Sequence, residues 1–135
     1  FHAVEHQPPD EEPDADYPYL LSTGRILYHY NMTTVGRSRW LTEFRPAEKI
    51  MVHPVDACKL EIRDGEWLEV ESRRSVVAAQ AWVTDRVLPG MVWLSFHYPD
   101  CPTNEVTNGA YDKVTKTYEY KVCAVRLHKR IPAHD

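Results

Sequence analysis

The sequence is poor in cysteine: Cys58, Cys101 and Cys123 are the full set, and no two are spaced as CxxC. An odd, scattered set fits neither a disulfide framework nor a zinc or iron–sulfur site, and it points to a reducing compartment. Neither GxGxxG nor a GxxxxGKS/T run occurs, which removes the dinucleotide-fold fingerprint and the P-loop. HExxH and GxSxG are also missing, so neither the zinc-protease helix nor the hydrolase elbow is present. Apolar runs are short, well below the roughly 18 residues a spanning helix needs. The first residues, FHAVEHQPPDEEPDADYP, lack a basic flank and an apolar core and do not read as a signal peptide, so a cytoplasmic location is expected. Basic residues are outnumbered, 16 Lys and Arg against 20 Asp and Glu, which argues against a nucleic-acid partner.

What is present is the composition of an ordinary soluble domain, 43% hydrophobic and 27% charged. At 135 residues it can bury roughly two-thirds of its extended surface in one core. Residues 1–18 set Pro8, Pro9, Pro13 and Pro18 among Asp10, Glu11, Glu12, Asp14 and Asp16, the expected composition of an extended, solvated linker. A chain opening in mid-linker at Phe1 reads as cut from something longer. The domain proper is expected over 19–130, with 131–135 as a tail.

Strands are expected at 19–23 and 49–53, the first β-branched and aromatic, the second apolar. The clearest follow at 67–72 and 76–84, where apolar residues alternate with polar ones and residues 73–75 make a tight link. Residues 91–96 are nearly all apolar, as in a strand covered on both faces. The last strand is placed at 120–128. Short helices are expected at 38–44, with Ser38 as cap, and at 54–60, opened by Pro54. Six or seven short strands with two scraps of helix suit a small closed β-barrel, which leaves no edge exposed; an open sandwich is the alternative.

No nucleophile–base pair stands out. Cys58 and Cys123 are expected in the core, and Cys101 in a loop. His29, His53 and His97 are far apart without a carboxylate at helical spacing; they read as polar loop residues, with a zinc site as the alternative. Binding is better provided for. The stretch LSTGRILYHYNMTTVGRS packs Arg25, Tyr28, His29, Tyr30, Asn31, Thr33, Thr34 and Arg37 after an expected strand end. Phe96 and His97 follow another strand, and Tyr120 and Lys121 follow the long polar loop carrying Asn104. Arg and Lys suit phosphate, and Asn suits a heterocycle edge, so an anionic heteroaromatic ligand fits the inventory.

Five segments recur in order: Thr23-Gly24-Arg25-Ile26-Leu27-Tyr28-His29-Tyr30; Val83-Thr84-Asp85-Arg86-Val87 with Pro89-Gly90; Phe96-His97; Asn104 with Thr107; and Glu119-Tyr120-Lys121-Val122-Cys123-Ala124-Val125-Arg126. This series resembles the C-terminal domain of the molybdopterin oxidoreductases, most of all that of the formate dehydrogenase catalytic subunit. The resemblance implies a mainly β fold, a six-stranded double-psi β-barrel with a few short helices, closing over a bis(molybdopterin guanine dinucleotide) molybdenum or tungsten centre. It implies cofactor contacts from Thr23, Gly24, Arg25, Ile26, Leu27, His29, Tyr30, Asn31, His97, Asn104, Tyr120 and Lys121, with Phe96 toward the substrate. It also implies partners: the remaining domains of the catalytic subunit, and iron–sulfur or electron-transfer subunits.

The metal ligand and iron–sulfur ligands are expected elsewhere in the parent, so the domain alone is expected to be inactive. Many relatives continue the first motif as His-x-His-Thr-Gly-x-Met-Thr-Arg; here Asn31 stands where the second His would be, and the inner Gly is absent. That departure tilts toward formate dehydrogenase and away from a nitrate reductase or other oxyanion reductase. A separate, non-catalytic barrel subunit or interaction module is the alternative of a different class.

Overall fold

The computed structural model describes residues 1–3, 5–32 and 38–130. Six strands, β1 (Tyr19–Gly24), β2 (Lys49–Val52), β3 (Trp67–Glu71), β4 (Val76–Val83), β5 (Met91–Ser95) and β6 (Cys123–Lys129), form a closed barrel in the order β1-β5-β2-β4-β3-β6. β1–β5 and β2–β4 are parallel pairs, and the other contacts are antiparallel. Two helices, α1 (Arg39–Phe44) and α2 (Pro54–Lys59), and a 3-10 turn (Thr103–Glu105) complete the regular elements among the described residues.

Period-two alternation builds the barrel. Leu21, Ile50, Val52, Leu68, Val70, Val92, Leu94 and Val125 point inward and are fully buried, each contributing about 1.5–3 kcal/mol by leaving water. β5 alternates too: Trp93 faces outward and is half-buried, not covered as its apolar sequence suggests. Closure supplies the missing edge, because β6 pairs with both β1 and β3.

α2 opens on His53, whose Nδ1 accepts from the Val55 N–H at 3.1 Å. The buried Asp56 accepts from the Gly90 N–H at 2.5 Å, fastening this helix to the turn before β5. Gly90 has φ +80°, where a Cβ would be strained.

Four further expectations are corrected. Ser38 makes no side-chain cap; its carbonyl accepts the N–H and hydroxyl of Thr42 instead. Cys58 is exposed, because its place on a two-turn helix faces solvent. The last strand begins at Cys123, since 120–121 form a turn. The acidic N-terminal stretch is not solvated throughout: Glu11 accepts from the Ala124 N–H at 2.6 Å and from Arg74 at 2.6 and 3.0 Å. Asp14 pairs with Arg73, and the Tyr17 ring lies 4.5 Å from the Arg73 guanidinium carbon and 5.3 Å from that of Arg126. Thr33, Thr34 and Arg37 of the first motif, and the 131–135 tail, lie outside the described residues.

Candidate functional site

Parallel pairing decides where the site forms. β1 and β5 run side by side with Gly24 opposite Ser95, so both strands end at the same rim and deliver Arg25 and Phe96 there together. β6 runs antiparallel to β1 with Cys123 opposite Leu21, so the turn before β6 brings Tyr120 and Lys121 to that rim. Two reciprocal bonds close the joint: the Thr23 hydroxyl donates to the Tyr120 carbonyl at 2.8 Å, and the Lys121 ammonium donates to the Thr23 carbonyl. The 3-10 turn is pinned alongside by the buried Thr103, whose hydroxyl donates to the Ser95 carbonyl at 2.5 Å. Asn104 is thereby presented outward.

These elements frame a concavity of about 580 Å³. Thr23, Arg25, Asn31, Phe96, Asn104, Tyr120 and Lys121 line it, all named from sequence, as does Met32, the end of the segment that the resemblance sets against the cofactor; Tyr118 lines it as well, and sequence reasoning missed it. Tyr118 had a signal, because it and Tyr120 are two apart in an extended segment and so share a side. Their rings stack at 5.2 Å and 3°. Arg25 lies 5.3 Å from the centre of the Phe96 ring, and its Nε donates weakly to Asn31 Oδ1 at 3.4 Å. Among the described residues Arg25 has no carboxylate partner, and the exposed Asn104 amide has no hydrogen bond. Cation, amide and aromatic faces therefore remain available in one place.

The other sequence-named residues stand behind or beside that surface. His97 is fully buried. Its Nε2 accepts from the Ile26 N–H at 3.1 Å, and its Nδ1–H donates to the Asn31 carbonyl at 2.6 Å. The ring thus ties together the two ends of the 26–31 loop. Burial holds its pKa below the usual range despite the bond to Asn31, and an accepting Nε2 beside a donating Nδ1 is the neutral ring with its proton on Nδ1. Asn31 sits at φ +47°, a left-handed conformation that Asn tolerates better than most side chains. His29 is buried, its Nε2 3.2 Å from the Arg45 carbonyl and its ring edge-on to Tyr98.

Gly24 is needed for a close approach: a Cβ there would stand 2.8 Å from the Trp93 ring. Ile26 packs partly against the core, while Leu27 and Tyr30 are exposed and are not among the residues lining the concavity. No group of three or more His, Cys, Asp or Glu side chains suited to a metal occurs among the described residues. Cys101 is buried, and burial followed by the nearby Glu48 charge pushes its thiol up to about 12, so it is not a nucleophile. The buried Glu48 carboxyl is itself raised by desolvation, though it accepts from Ser95 and from the Lys49 N–H.

Residues 19–124 match the family described as Molydopterin dinucleotide binding domain. The chain is 45% identical over 130 residues to the "F420-dependent formate dehydrogenase 2 subunit alpha" of Methanococcus maripaludis, covering 96% of this chain and 19% of that protein. It is 40% identical over 135 residues to the "Nitrate reductase" of Symbiobacterium thermophilum, covering 96% of this chain and 18% of that one. The chain thus spans about a fifth of the length of these relatives. Among solved structures, acetylene hydratase from Pelobacter acetylenicus superposes with a TM-score of 0.73 at 15% identity, over 84% of this chain and 18% of that one, a likeness of fold. With the match extending from β1 into β6, the chain belongs to the molydopterin dinucleotide binding domain family.

Proposed function

We propose that the rim concavity holds a molybdopterin guanine dinucleotide, and that the chain serves as the C-terminal domain of a formate dehydrogenase-like molybdenum or tungsten oxidoreductase. The observation that carries this reading is the meeting of Arg25, Asn104 and Lys121, distant in sequence, in one concavity floored by stacked tyrosines. The donor set fits the group. Arg25 offers a planar fork of donors with no carboxylate competitor among the described residues, suited to diphosphate oxygens. Lys121 keeps further N–H donors after its bond to Thr23. Asn104 can donate to and accept from a heterocycle edge, and Tyr118, Tyr120 and Phe96 offer faces to a planar ring.

When bound, the cofactor supplies the two-electron redox centre. This chain's residues bind, orient and exclude water. His97 and Asn31 hold the loop in shape beforehand, which lowers the ordering needed on binding. The parent reaction we favour is two-electron oxidation of formate to carbon dioxide. The nitrate reductase relative, at 40% identity, supports the second reading, an oxyanion reductase built on the same domain. Partners on this reading are the remaining domains of the catalytic subunit and electron-transfer subunits.

Arg25→Ala in the full-length parent tests the site. Bound metal and released pterin should fall about tenfold, as loss of a charge-assisted bond implies, while the thermal midpoint of the domain stays near wild type because Arg25 is exposed. Equal cofactor content in variant and wild type would overturn the assignment. Assaying the parent with formate and with nitrate, each with a dye, separates the two reactions.

A further inference from the structure

The barrel's outer wall carries a second concavity, of about 450 Å³, on the other side of the 25–31 loop. Strand register makes its floor: Trp93 stands opposite Met51, and Met51 opposite Trp82, so one outward row crosses β5, β2 and β4. Three guanidiniums surround this floor, from Arg25 after β1, Arg45 before β2 and Arg86 after β4. The Arg45 and Arg86 guanidinium carbons each lie 5.1 Å from the centre of the Trp82 ring.

None of the three arginines has an ion-pair partner among the described residues, whereas Arg39, Arg73, Arg74 and Arg126 all do. The Arg45 Nε is buried without a hydrogen-bond partner among the described residues, a state that costs free energy until an acceptor arrives. The Glu48 carboxyl, which feels the Arg45 charge, bonds instead to Ser95 and to the Lys49 N–H.

We propose that this wall is a second anion site, distinct from the rim concavity, and that it takes a phosphorylated organic ligand of the nucleotide class through Arg25, Arg45 and Arg86. Charge counting favours phosphate over carboxylate. One carboxylate carries a single charge and two oxygens and would leave two guanidiniums uncompensated; a diphosphate carries two or three charges and seven oxygens. The Trp93–Met51–Trp82 floor supplies apolar surface for the rest of the ligand, next to the exposed Leu27. The site shares Arg25 with the rim concavity but makes no use of Asn104 or Lys121, while Arg45 and Arg86 belong to it and not to the rim, so variants of those residues tell the two assignments apart.

Indole N–H resonances of the 135-residue chain test it, because two of the four tryptophans lie in this site while Trp40 and Trp67 lie outside it. Inorganic diphosphate should shift Trp82 and Trp93 saturably, with Trp40 and Trp67 unmoved. Arg86→Ala, at an exposed position, should raise the midpoint at least about tenfold; Arg86→Lys should recover part of that, and Lys121→Ala should leave it unchanged. ADP binding more tightly than diphosphate would assign a nucleotide, and equal binding would assign the phosphate group alone. No Trp82 shift at millimolar diphosphate, a shift insensitive to Arg86→Ala, or a response to citrate but not to diphosphate would each overturn the proposal.

Discussion

The molecule has two arginine-rich surfaces that differ in how their charge is met. Where the N-terminal segment lies against β3, β4 and β6, every arginine is answered. Arg74 meets Glu11, Arg73 meets Asp14, and Arg126 meets Glu71 in a two-bond pair at 2.8 and 2.6 Å. Around the ends of β1, β2 and β4 the arrangement reverses, and Arg25, Arg45 and Arg86 lack any carboxylate partner among the described residues. Cations neutralised from within the chain fasten a segment; cations left uncompensated in a protein with more acids than bases are a standing attraction for an external anion.

Exchanging the properties of the two surfaces should break the contrast. The largest effect is expected from Arg25→Ala combined with Lys121→Ala in the parent protein. Cofactor content, read as metal and pterin, should fall about a hundredfold if the two bonds add, and the Lys121 half should also loosen the joint to Thr23. Next is Glu11→Ala on the neutralised surface. It strips an acceptor from the Ala124 N–H and from Arg74, and should cost about 1–3 kcal/mol in denaturant unfolding with no change in cofactor content. Comparable losses of cofactor from Glu11→Ala and from Arg25→Ala would erase the distinction.

Acid should act on both surfaces, in separable ranges. Burial raises the Glu11 pKa, but the bonds from Arg74 and Ala124 outweigh it and hold the carboxyl below its ordinary 4.5. Its contribution is therefore complete above that value and lost as pH falls through the lower folded value. His97 is a base with a lowered pKa, so the folded state resists the proton. The loop contribution is intact above its ordinary 6.5 and declines as pH drops below it. Hydrogen exchange of the Ile26 amide should accelerate below that pH relative to amides of β3, and His97→Phe should remove the pH dependence while destabilising the loop by about 1–3 kcal/mol. The smallest effect belongs to Arg39→Ala. Its pair with Glu43 is mostly exposed, and stability should move by less than about 0.5 kcal/mol.

The 580 Å³ rim concavity shows how unevenly a site can be read from a chain. Arg25, Asn104 and Lys121 were recognisable by chemistry and motif, and Tyr118 was open to detection from its spacing to Tyr120. The role of His97 was not. Nothing local distinguishes a histidine facing a ligand from one whose two nitrogens bind the Ile26 amide and the Asn31 carbonyl, because those partners lie 71 and 66 residues away. Cys58 misled for a related reason: apolar spacing on six residues of helix does not say which side meets the barrel.

Strand positions, the inward set of Leu, Ile and Val, and family membership were written into the sequence, because period-two alternation and short motifs are properties of neighbouring residues. Which residues meet was a matter for the tertiary structure. Pairing Gly24 with Ser95 and Leu21 with Cys123 depends on parallel crossovers and on the closing of the barrel. That closure also determined which cations found carboxylates, since Glu11 and Ala124 become neighbours only when β6 has docked beside β1.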